Sequence, residues 1–139
     1  MKVLVLKYQL PPKKKLNIVS LDTLMKIEEK TYAKSVKYLF KVEYFYKLNR
    51  ETEEMNEKLE IKINLNALKE EDWKLPYDIF DDIRRMVTRE GFDLDILRDI
   101  IAIMVNTFHQ YGYTFTFKRN EEEIETEKEV TIKLTAIAQ

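Results

Sequence analysis

The chain has 139 residues, with 24 Lys plus Arg against 25 Asp plus Glu, 45% hydrophobic residues, two glycines, three prolines and no cysteine. That length and apolar content suit one folded domain and exclude wholesale disorder, a disulfide scaffold and any cysteine-ligated zinc or iron–sulfur centre. The formal charge of -1 gives no global pull toward nucleic acid. No apolar run reaches the roughly 18 residues of a membrane helix and the N-terminus lacks the apolar core of a signal peptide, so a cytoplasmic protein with no membrane partner is expected.

Residues 2–10 are apolar on both alternating faces, with Val3 and Val5 on one and Leu4, Leu6 and Tyr8 on the other. That is the pattern of an internal strand covered twice. Pro11 and Pro12 end it, and Lys13, Lys14 and Lys15 make a basic connector. Between 16 and 35 two periods compete. Val19, Leu21, Met25 and Ile27 alternate as in a strand, whereas Ser20 is a good cap and Glu28, Glu29, Lys30, Ala33 and Lys34 are good helix formers. The helical reading, over about 20–33, is preferred.

From Val36 to Leu48 the even positions read Val36, Tyr38, Phe40, Val42, Tyr44, Tyr46 and Leu48, and the odd ones Lys37, Leu39, Lys41, Glu43, Phe45 and Lys47. Period two sustained this long predicts an antiparallel strand with one buried face. Leu59, Ile61, Ile63 and Leu65 repeat the pattern, with Glu60, Lys62 and Asn64 outward, so a hairpin with a polar, glycine-free loop is expected. At ~3.3 Å per residue the first strand would span about 43 Å, against a globule diameter of roughly 37 Å. Its projecting end would expose Tyr44, Tyr46 and Leu48, which predicts a homodimer interface there.

Residues 76–90 carry the signals of a helix: Pro76 in the first turn, Asp78, Asp81 and Asp82 near the positive end, Arg84, Arg85 and Arg89 near the negative end, and Gly91 as the stop. A second helix, capped by Asp93 or Asp95, runs to about Gln110; its apolar residues cover roughly 200° of the wheel, which predicts packing on two sides. Tyr113, Phe115 and Phe117 then share one face of a strand and Val130, Ile132, Leu134 and Ala136 one face of its partner. The sum is an α+β fold in a single domain: a mainly antiparallel sheet of about five strands, with an αα-hairpin and one further helix packed on it.

Catalytic chemistry finds little support. His109, the one histidine, falls near a helix C-terminus where its charge is welcome. Ser20 and Ser35 lack a glycine-flanked elbow. Asp78, Asp81 and Asp82 are explained by the helix dipole, and one of Asp93 and Asp95 by capping. Gly91 and Gly112 both fall at helix ends, which excludes a phosphate-cradling loop. No catalytic residue, cofactor or metal site is therefore assigned.

Two binding functions follow. Long amphipathic strands and charged loops point to a non-enzymatic assembly protein acting through protein–protein contacts. The alternative is a single-stranded nucleic-acid binder, with Lys37, Lys41, Phe45, Lys47 and Arg50 on the outer strand face and Lys13, Lys14 and Lys15 beside it, because bases stack on rings while ammonium groups track phosphates. Residues 111–118 share aromatics after a glycine with the RNP1 motif of RNA-recognition domains. Tyr111 stands where that motif has a basic residue and a helix precedes it, so the chain is not assigned to that family. Charge-rich, cysteine-free composition is a hyperthermophile trend, though an AT-rich genome gives the same bias, and a small motif-free domain of this kind is expected among accessory proteins of mobile elements and viruses.

Overall fold

The computed structural model describes residues 1–9, 25–48, 51, 55–124 and 129–138. Period-two patterning folds into six strands: β1 (Lys2–Gln9), β2 (Met25–Thr31), β3 (Tyr38–Leu48), β4 (Met55–Asn64), β5 (Phe115–Ile124) and β6 (Glu129–Ala138). All pairings are antiparallel, in the spatial order β2-β1-β4-β3-β6-β5. Two α-helices, α1 (Leu75–Glu90) and α2 (Leu94–Gln110), complete the α+β fold. Among the described residues, no helix is long and apolar enough to cross a membrane.

β1 is internal, and Val3, Leu4, Val5 and Leu6 are all buried, whichever face they point to. The predicted helix over 20–33 is corrected: residues 25–31 are strand β2, aligned on β1 from Lys2 opposite Thr31 to Tyr8 opposite Met25, and residues 20–24 lie outside the described residues. Helix formers lose here because β1 offers the segment a complete hydrogen-bond ladder, and tertiary pairing outweighs propensity differences of a few tenths of a kcal/mol per residue. The sheet consequently has six strands rather than about five, with an αα-hairpin and no further α-helix among the described residues.

β3 is also corrected. It has eleven residues, about 36 Å at ~3.3 Å each, so it fits within the globule without a projecting arm. Its register against β6 shifts between Tyr38 and Phe40. At this bulge Leu39 and Phe40 are both fully buried in the core, and Tyr38 turns to the opposite face, where burial and the charges of Glu43 and Glu60 push its hydroxyl up to about 12. One extra residue thus reverses the alternation predicted for the start of the strand.

Residues 32–37 carry the chain from β2 past β1 and β4 to β3. They are tied down by Met1, whose backbone exchanges hydrogen bonds of 3.0 and 2.8 Å with Tyr32, and by Asn64, whose Nδ2 donates to the carbonyls of Val36 and Tyr38 at 3.1 Å. The buried amide of Asn64 is therefore satisfied on a crossing that contributes little apolar surface.

The helix punctuation holds. Pro76 sits in the first turn of α1, and Gly91, at φ 78°, donates its N–H to the carbonyl of Val87 at 2.8 Å. Asp93 caps α2, its Oδ1 accepting from the N–H of Ile96 at 2.8 Å. Both helices lie on one face of the sheet, where Leu4, Leu6, Phe40 and Ile61 meet Ile79, Phe80, Ile100 and Phe108; the rings of Phe40 and Phe108 stack at 5.4 Å. The expectation that α2 packs on two sides is corrected. Ile96, Leu97, Ile100, Met104 and Phe108 are buried, Ile101, Ile103 and Val105 are only partly so, and Leu94 is 53% exposed.

Candidate nucleic-acid interface

Strand parity assigns every residue of the sheet to one face. The helices cover the face of Leu4, Leu6, Phe40, Ile61 and Leu134. The opposite, open face takes Lys7 from β1, Lys26 and Lys30 from β2, Lys58 and Lys62 from β4, and Lys41 and Lys47 from β3. Lys118 of β5 and Lys133 of β6 complete it. Five glutamates share this face by register: Glu28, Glu43, Glu60, and Glu122 and Glu129 near the β5–β6 hairpin end. Among the described residues, nine lysines against five glutamates by register make it cationic, in a chain whose formal charge is -1. The compensating acid lies in the helical layer, where residues 65–112 hold ten Asp and Glu against six Lys and Arg.

Ion pairs order the middle of the open face. Lys41 Nζ lies 2.9 Å from Glu43, Lys62 3.4 Å from Glu60, and Lys7 3.4 Å from Glu28. Partial burial opposes ionisation of Glu43, but the hydrogen bond from Lys41 and the fields of Lys41, Lys62 and Lys133 outweigh it and hold the carboxyl below its ordinary range. Val3 and Val5 point to this face and are nonetheless fully buried. Their neighbours across the ladders are Lys30, Asn64, Glu28 and Lys62, and lysine stems can cover apolar surface while their charged heads stay in water. Phe45, half-buried, stands between Lys58 and Thr131. With Tyr38 it supplies aromatic surface among the charges of this face.

Of the residues singled out from the sequence, Lys41, Phe45 and Lys47 share the open face. Lys37 is exposed in the crossing that precedes β3, off the sheet. Lys13, Lys14, Lys15 and Arg50 lie outside the described residues. The three proposed dimer residues are on the helix-covered face. Tyr44 is buried, its ring 5.7 Å from that of Phe92 and its hydroxyl donating to Glu57 Oε1 at 2.7 Å, so it belongs to the chain's own core; Tyr46 and Leu48 are half-buried. Sequence reasoning did not assign Lys7, Lys26, Lys30, Lys58, Lys62, Lys118 or Lys133 to the site. Lys7, Lys26 and Lys133 alternate with apolar neighbours, but which strands face the same way emerges only from pairing.

Other chemistry is sparse. Among the described residues no three or more His, Asp or Glu side chains are grouped to hold a metal ion. His109 stacks on Phe115 at 4.7 Å. Glu57, 8% exposed, is the buried carboxylate of the helix-covered face; burial raises its pKa, and the nearby charge of Asp93 adds to that, against the hydrogen bond from Tyr44. Tyr8 and Phe92 pack beside it, and burial with the charge of Glu57 pushes the Tyr8 hydroxyl up to about 12. An open groove of about 680 Å³ runs along the first half of α2 beneath β5 and β6, lined by Leu94, Leu97, Ile101, Phe117, Ile132 and Leu134 with Arg98 and Arg119 at its sides. Comparison with protein-family models, with curated proteins and with solved structures returns no match.

Proposed function

We propose that the chain is a binding module whose open sheet face takes single-stranded nucleic acid. The observation that carries the reading is the segregation of charge: nine lysines against five glutamates on the face the helices leave open, in a chain that is slightly acidic as a whole. A sheet face presents such charges in rows about 4.8 Å apart, a pitch on which a flexible phosphate backbone can be followed, and Phe45 and Tyr38 offer ring surface for bases. The sheet face favours a single strand over a duplex, because among the described residues no helix protrudes from it to enter a groove. An assembly contact through Tyr44, Tyr46 and Leu48 is weaker as a binding surface, since Tyr44 is consumed by the core.

Fluorescence anisotropy with a labelled ~30-mer tests this. Binding at 50 mM salt that falls steeply by 200 mM is expected, because each phosphate contact releases counterions. Lys47→Glu and Lys41→Glu should each weaken binding, the latter with some loss of thermal stability as its ion pair with Glu43 becomes a like-charge contact. Phe45→Ala should lose roughly 1–3 kcal/mol of stacking with little change in salt slope. No binding at 50 mM salt would eliminate the reading.

A further inference from the structure

We infer that β5 is a homodimer seam, at which two copies of this chain pair edge to edge about Asn120. Among the described residues β5 is hydrogen-bonded on one side only, to β6, and it ends the sheet. The other end of the sheet, β2, has seven residues, whereas β5 has ten and contains no proline or glycine. A long, unbroken edge is a template for another strand.

The sequence of that edge is complementary to itself. Residues 118–122 read Lys-Arg-Asn-Glu-Glu. A two-fold axis perpendicular to the sheet keeps side chains on their own face, so paired residue numbers must sum to an even value. Two registers retain most of the strand. Centring on Asn120 places Lys118 opposite Glu122 of a second copy, and Arg119 opposite Glu121, each twice by symmetry. Centring on Arg119 places the two Arg119 residues opposite each other. Opposite charges across an antiparallel pair stabilise and like charges oppose pairing, so the first register is selected and its competitor rejected.

The surroundings favour the same partner. The apolar groove is lined in part by β5 itself, through Phe117 and Arg119, and leaves Leu94 53% and Phe117 46% exposed. A second copy would bring its own groove against this one and withdraw both from water. The same symmetry leaves all helices on one side and merges the two lysine faces into one surface on a doubled sheet. The inference stands on the edge and groove alone, and does not need nucleic-acid binding to hold.

Light scattering at tens of micromolar is expected to give twice the 16.8 kDa chain mass. Lys118→Glu should weaken self-association by about tenfold, through two like-charge pairs. The double variant Lys118→Glu/Glu122→Lys should restore it, since each reversed residue meets the other's reversal across the axis. Because the chain has no cysteine, Asn120→Cys supplies a second measurement. Opposed residues of an antiparallel pair have Cα atoms roughly 4.5–5.5 Å apart, within disulfide reach, so mild oxidation should link two copies, whereas Thr116→Cys, opposite Ile124, should not link. A monomer at these concentrations, a dimer indifferent to Lys118→Glu, a double variant that is not restored, or failure of Asn120→Cys to cross-link would each overturn the seam.

Discussion

Along β1 the two faces of the sheet bury equally and by different means. On the helix-covered face, Leu4 and Leu6 are sealed by α1 and α2, large apolar surfaces held by their own backbone ladders. On the open face, Val3 and Val5 are as deeply buried as Leu4 and Leu6, flanked by the lysines and glutamates of β2 and β4. The first cover is a layer of packed helices. The second consists of side chains, which can move without displacing a helix.

The largest test of this contrast is in the core. Phe40→Ala, which removes the ring stacked on Phe108, should cost about 3–5 kcal/mol in urea unfolding and Leu6→Ala about 2–5 kcal/mol. Val5→Ala should cost less, about 1–2 kcal/mol, because neighbouring stems can close over the gap as helices cannot. Equal losses at Leu6 and Val5 would abolish the distinction. Next in size is the turn that fixes the helical cover: Asp93→Ala should lose about 1 kcal/mol with the cap on Ile96.

The smallest expected effects sharpen the comparison most, because their signs differ. Glu43 on the open face has a depressed pKa, so it contributes stability above its unfolded value that is lost as pH falls through the folded one. Glu57 on the covered face has a raised pKa. The folded state then binds the proton more tightly than the unfolded, and stability falls as pH rises from the unfolded value through the folded one. Urea midpoints measured against pH should accordingly show Glu43→Gln weakening the acid-side loss and Glu57→Gln flattening the decline on the neutral side. Parallel shifts in the two variants would mean that the faces do not differ electrostatically.

Much of this was legible in the residues. The α1–α2 hairpin could be read from Pro76, Gly91 and Asp93 because helix ends leave unsatisfied groups that only particular residues close. β1 could be read as internal from its two apolar faces. β2 could not, since Lys26, Glu28, Glu29 and Lys30 suit a helix better than a strand and only β1 decides otherwise. The bulge at Leu39 was invisible, as both Tyr38 and Leu39 are apolar enough for either face. At the candidate interface, the β3 residues Lys41, Phe45 and Lys47 could be found one strand at a time. Their seven lysine companions could not, and Tyr44 was misplaced because an aromatic on a long strand looks the same whether a loop covers it or a second chain does.

What the sequence alone determined is local: where strands alternate, where helices start and stop, and which chemistries lack their residues. These depend on neighbours within a few positions, through period, capping and backbone sterics. Tertiary structure decided the strand order, the fate of residues 25–31 and the gathering of nine lysines from six strands onto one face. Those outcomes turn on hydrogen-bond ladders between segments far apart in the chain, and parity along a single strand carries no information about which way its neighbours face.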